Sequence, residues 1–201
     1  MGVTLPAESS SRWDQGGLDS PRLVLRRYRL DDADAVWAAI DETRAMLVRW
    51  VPDIGGRRTP ADVRSGLASL VRQQARGETS ILGVWSRLSG QFLGEVGVYH
   101  LDRRAGVGEV GYWLRADAQG HGYASEALAV LLEFARGGLG LHRFEAHIAA
   151  DNEASRRVAE RLGFHQAAPR ALGPRWAKEA GEILIYVLQD RAIHALPFVA
   201  D

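Results

Sequence analysis

The stretch Leu114–Leu128, "LRADAQGHGYASEAL", constrains the fold more than any other. An apolar run that reads as a strand leads in and a helical pattern leads out, so a glycine turn must sit at a strand-to-helix junction. Two glycines two residues apart weaken the start of an ordinary helix. A helix N-terminus, however, offers unpaired N–H groups and partial positive charge. With Gly120 and Gly122 removing Cβ atoms and Ala124 the next smallest residue, that end can cradle a diphosphate. By itself the pattern has a second reading, a β–α turn that needs positive φ. It lacks the third glycine and acidic strand end of the dinucleotide fingerprint, and no Gly-Lys-Ser/Thr follows to make a Walker loop.

Around this junction the periodicity lays out one mixed α/β domain with helices on both faces of a sheet. Arg22–Leu30 alternates apolar and basic residues, as a half-buried strand does. "DDADAVWAAIDE" opens a helix with Asp at the N-cap position, and Thr59 with Pro60 opens a second, which Gly77 stops. Thr79–Arg87, Phe92–Asp102 and Val107–Arg115 predict an antiparallel meander. A helix from about His121 to about Arg136 follows. Then come a strand over Arg143–Ala150, a helix capped by Asn152 and stopped by Gly163, and a last strand over Glu182–Asp190. Residues 1–20 read as a mobile leader, 21–190 as the single domain and 191–201 as a tail.

The formal net charge is zero, which argues against a general basic field for nucleic acid. The absence of cysteine removes disulfides, thiolate metal sites and a cysteine nucleophile, and fits a reducing compartment. No run approaches the roughly 20 apolar residues of a membrane span, and the N-terminus lacks the apolar core of a secretory signal. The expectation is a soluble cytoplasmic protein without a membrane partner. His100, His142, His147, His165 and His194 show no metal-ligand spacing, so no metal is assigned.

"EVGYWLRADAQGHGYASEAL", a strand, and "NEASRRVAERLGF" together resemble the GNAT superfamily of acyl-CoA-dependent N-acyltransferases. The likeness is to the RimJ/RimL-type branch, which acetylates protein N-termini, those of ribosomal proteins included. The family's pyrophosphate motif, Gln/Arg-x-x-Gly-x-Gly/Ala, stands here as Gln119, Gly122 and Ala124, with Gly120, His121 and Tyr123 between. The branch's Asn-x-x-Ser and Leu-Gly-Phe segment is Asn152, Ser155, Leu162, Gly163 and Phe164, and its early strand is Leu23, Leu25 and Arg26. The resemblance spans residues 21–190. It implies a mixed, mostly antiparallel GNAT sheet whose strands Val107–Leu114 and Arg143–Ala150 splay apart. Acetyl-CoA or another acyl-CoA would lay its arm in the gap, against the backbone of Leu114, with its diphosphate on the amides of Gly120 to Ala124. Dimers are common in the branch, so a homodimer is one assembly to expect.

Transfer of an acyl group to an amine needs the amine neutral, an oxyanion steadied and a thiolate protonated. The resemblance puts the general base, or a water-holding carboxylate, near Glu109. Glu95 departs from the family, where an apolar residue is more common. An acid on a core strand either lines the acceptor pocket, as a base or a cation site, or pairs with an arginine. The resemblance gives Ser155 the role of protonating the thiolate, while no tyrosine matches the one many other members use. It gives Asn152 a bond to the pantetheine as well as its cap. Arg156, Arg157 and Arg161 form a basic stripe, and the family suggests that one of them, taken as Arg161, reaches the 3′-phosphate. Trp50 matches a Trp that walls the acceptor side, whereas Trp37, Trp85 and Trp113 read as core. The acceptor is expected to be a protein N-terminal amine. A small amine, a succinyl donor and a CoA-binding module without turnover are the rival readings.

Overall fold

The computed structural model describes residues 17–76, 79–168 and 182–189. Its sheet has eight strands in the order β1-β2-β3-β4-β5-β6-β8-β7. These are β1 Leu18–Asp19, β2 Leu23–Arg26, β3 Ser80–Ser86, β4 Phe92–Asp102, β5 Val107–Leu114, β6 Arg143–Ala149, β7 His165–Gln166 and β8 Ile183–Gln189. Every neighbouring pair is antiparallel except β5 and β6.

Among the described residues four longer helices cover the two faces, α1 Ala33–Trp50, α2 Pro60–Ala75, α3 Tyr123–Leu139 and α4 Glu153–Arg161, with a single helical turn over Pro52–Gly55 between the first two. Thr59 caps α2 as its neighbours suggest, accepting from the Asp62 amide while Asp62 reaches back. Leu128, Leu131 and Leu132 of α3 are almost wholly buried with Val96, Val98 and Val110 of the sheet, at about 2 kcal/mol of transfer energy for each leucine. The opposite face holds a second core of α1, α2, Trp85, Phe92 and Trp113. No helix among the described residues is long and apolar enough to cross a membrane.

Local differences from the sequence reading have identifiable causes. The early strand stops at Arg26, because Arg26 forks onto Asp32 at 2.7 and 2.8 Å and the chain turns there. Asp32 occupies the N-cap position of α1 but spends its carboxylate on Arg26 and the Arg29 amide, and does not cap. Leu18 and Asp19, inside the stretch read as a leader, form an edge strand on β2. Helix α3 runs on to Leu139 and ends at Gly140 in the left-handed conformation. Gly77, the 191–201 tail and His194 lie outside the described residues.

The functional consequence lies between β5 and β6. Their parallel ladder holds only three pairs and ends at Glu109↔Glu145. Beyond it β5 stays with β4 as far as Leu114, and β6 stays with β8 as far as Ala149. The two strands therefore part, leaving backbone edges that face each other without a ladder.

Candidate active site

Past β5 the chain makes a 3-10 turn over Ala116–Ala118, then the glycine turn. Gly120 and Gly122 have φ of 79° and 80°, a region that side-chain-bearing residues rarely adopt. The turn needs glycine for its shape, and it leaves the helix mouth bare. Gly122 is the N-cap of α3 with no side-chain cap, and the first helical bond runs from the Glu126 amide to the Gly122 carbonyl. The amides of Tyr123, Ala124 and Ser125 thus lack intrahelical partners. A Cβ on Gly120 would meet no heavy atom within 4 Å, so that side is open.

The side chains of the turn hold it in shape. Gln119 donates Nε2 to the Leu114 carbonyl at 3.1 Å, and the His121 ring turns back to the Gln119 carbonyl at 2.8 Å and stacks on Tyr123. Glu126, only 1% exposed, accepts from Ser20 Oγ, the Arg22 amide and Arg22 Nε at 2.6, 3.0 and 2.6 Å. The same guanidinium donates to the His121 carbonyl and lies 4.6 Å over the Tyr123 ring. Arg161, from α4, donates to Ser125 Oγ in the first turn of α3 at 3.3 Å. Two guanidinium groups accordingly flank the bare amides. Sequence reasoning missed Arg22 and Glu126: they are 104 residues apart, and no local pattern links them.

On the α3 side of the parting strands, Asn152 caps α4 by accepting from the Ser155 amide at 3.1 Å. Ser155 Oγ accepts from the Tyr112 hydroxyl at 3.2 Å. Helix α4 itself carries no tyrosine, and the phenol beside Ser155 comes from β5. Its period-2 neighbours Val110 and Leu114 mark the same face, which is the signal that was present. Burial raises the Tyr112 phenol, with the bond to Ser155 acting the other way, so Tyr112 holds its proton and leaves the Ser155 O–H to donate elsewhere. Arg156 is committed to Tyr186 and the Ala150 carbonyl, and Arg157 to Glu153.

The opposite face carries the acids. Glu109 stands at the fork, its side chain mostly buried, 3.5 Å from His147 Nδ1 and 4.0 Å from His100 Nε2. Glu95 shares this face but lies deeper, 7% exposed, accepting from Tyr28 at 2.9 Å and Tyr99 at 3.3 Å. The Tyr99 ring can cross the sheet because Gly97 and Gly111 lie beneath it. Phenols rather than a guanidinium bind Glu95 directly, and Arg57 acts on it only through charge. Trp50, at the end of α1, lies 4.3 Å under Arg49, which pairs with Asp151 at 2.6 Å and so brings the indole to the β6–α4 loop. Trp85 and Trp113 are buried in the core, as expected.

Burial pushes the Glu95 carboxyl up, outweighing the two phenol bonds. A raised carboxyl favours the folded state most at low pH, and that contribution is lost as pH climbs through the folded value. Glu95→Gln, which cannot ionise, is therefore expected to gain Tm relative to the native protein as pH rises above the ordinary carboxylate range. A thermal-melt difference that does not grow with pH contradicts it.

A sequence profile described as "Acetyltransferase (GNAT) domain" matches residues 22–165. The chain belongs to the GNAT acetyltransferase family. Among relatives of this GNAT chain, an N-acetyltransferase named p20 from Bacillus licheniformis is 26% identical over 152 residues, 74% of this chain and 82% of that protein. A RimL ribosomal-protein acetyltransferase solved in complex with coenzyme A shares the fold at a TM-score of 0.74 and 21% identity, covering 86% of this chain and 97% of that one. Mycobacterium smegmatis RimJ, solved in complex with CoA-disulfide, superposes at a TM-score of 0.71 with 25% identity, covering 86% of each chain. The GNAT acetyltransferase assignment agrees with the parted strands and the bare helix mouth, which the fold produces without reference to any relative.

Proposed function

We propose that this GNAT enzyme transfers the acetyl group of acetyl-CoA to a primary amine, a protein N-terminal amine above all, by direct attack in a ternary complex. The observation that carries the reading is the coincidence at one place of a strand gap, a helix mouth with unpaired amides and two flanking guanidinium groups. Residues Gly120 to Ala124, with Arg22 and Arg161, would hold the diphosphate, and Asn152 and the β5 edge up to Leu114 would hold the arm. Acetyl-CoA supplies the activated acyl group.

The chain's own groups supply the rest. Glu109 takes the proton of the incoming ammonium directly or through water; an N-terminal amine, with a pKa near about 8, needs only a modest base. Backbone N–H at the fork polarises the thioester carbonyl. Ser155, already accepting from Tyr112, turns its own proton toward the departing thiolate. Glu95 serves the pocket wall, since both its oxygens are occupied by phenols. Acids and aromatic rings on the acceptor face favour a cationic amine, and ribosomal-protein acetyltransferases among the fold neighbours support a protein acceptor. Arg156 and Arg157 are engaged, which favours an acetyl over a carboxylated donor.

A thiol-release assay crossing acetyl- and succinyl-CoA with N-terminal peptides and small amines tests this. Turnover with acetyl-CoA and a peptide is expected; turnover only with small amines or only with the succinyl donor would replace the acceptor or donor named here. Ser155→Ala is expected to lower kcat by about 10- to 100-fold, with Tyr112→Phe lowering it less. Equal rates for the native and Ser155→Ala proteins remove Ser155 from the proton path.

A further inference from the structure

Glu109 is not an isolated carboxylate. Its Oε2 stands 3.5 Å from Nδ1 of His147, and the other ring nitrogen, Nε2, stands 3.4 Å from Oε2 of Glu145. Glu145 is held in turn by Arg143 through Nε at 3.3 Å and Nη2 at 3.1 Å. The register makes this arrangement. Glu109 and Glu145 are the last partners of the parallel ladder, so both side chains leave the sheet on one face, and His147 follows two residues later on the same face. His100 and Tyr99 approach from β4, while Ile185 and Val187 of β8 stand beside His147 and Glu145. The His147 side chain is 8% exposed.

Two carboxylates this close and this buried are costly unless a cation or a donor stands between them. A neutral imidazole has one N–H and can donate to one of them; with a second proton it donates to both. We propose that His147 is a positioning and relay residue, which holds Glu109 toward the acceptor and receives from it the proton lost by the amine. The inference rests on the reading of Glu109 as the base. In the resting form the imidazole proton sits on Nε2 toward Glu145, and the Nδ1 lone pair faces Glu109. The ammonium N–H bond breaks, its electron pair stays on nitrogen for attack, and an O–H bond forms on Glu109. That O–H then breaks as Nδ1–H forms. The imidazolium is steadied by both carboxylates, and Glu109 regains its charge. The distances are slightly longer than good hydrogen bonds, a looseness common before substrate closes a site.

His147→Asn keeps an amide near the Nδ1 position but cannot take up a proton. With acetyl-CoA and the best peptide acceptor of the panel, it is expected to keep acceptor KM within about twofold and lose kcat by about 10- to 100-fold. Added imidazole is expected to restore part of the rate in His147→Ala and none in Glu109→Gln. Native kcat in His147→Asn, or imidazole that leaves His147→Ala unchanged, overturns the relay. If the native protein neither binds acetyl-CoA nor releases thiol, the acyl-transfer reading itself fails. Native turnover matched by His147→Asn across pH sinks the relay alone.

Discussion

Glu109→Gln is expected to lower kcat/KM with any amine acceptor by about 10²- to 10⁴-fold while leaving the affinity for coenzyme A unchanged. The split follows from the geometry. Glu109 leaves the fork on the acid-bearing face, whereas Tyr112, Ser155, Asn152 and the first turn of α3 lie on the other. Glutamine keeps the shape and can still bond to a neighbour, so the fold should be spared. What disappears is the capacity to accept a proton. Steady-state kinetics and calorimetry on the same preparation separate the two quantities. A variant as fast as the native enzyme would move the base elsewhere, and a matching loss of coenzyme affinity would make Glu109 a binding residue.

Gly122→Val is expected to weaken coenzyme A by about 100-fold or more, equivalent to roughly 3 kcal/mol. Gly122 caps α3 at φ 80°. A β-branched residue there costs about 1–3 kcal/mol of backbone strain, and the helix mouth would shift to relieve it. A Cβ would meet only Arg22 Nη2, at 3.5 Å, so the protein itself leaves room and the effect falls on the anion site. Gly122→Asn separates conformation from occupancy, since asparagine tolerates the left-handed region. If Asn binds coenzyme A as the native protein does, backbone shape is what matters. If both variants bind normally, the diphosphate does not use this turn.

The sequence was most informative where chemistry is local. The glycine turn, the capping Asn152, the Thr59 cap and the meander all follow from short-range rules of φ, capping and period. Ser155 and Glu109 came through the family resemblance, and the structure adds what surrounds them. What stayed hidden is long-range pairing of polar groups. The Arg22–Glu126 clasp joins β2 to α3, Tyr112 meets Ser155 across 43 positions, and Glu95 finds its phenols on Tyr28 and Tyr99. Each depends on which strands are neighbours and which face each residue takes, and that order is fixed by the whole sheet. Asp32 shows the same limit at short range: a capping residue by position, it is drawn off by Arg26, because a forked ion pair competes with the helix amides.

We propose that the helix mouth and the parted strands together form one binding site. A crystal structure of the protein soaked with coenzyme A tests it most directly. The diphosphate is expected on the amides of Gly120 to Ala124, between Arg22 and Arg161, with the arm entering between β5 and β6. Coenzyme A bound elsewhere, with the glycine turn and the strand gap empty, would contradict it.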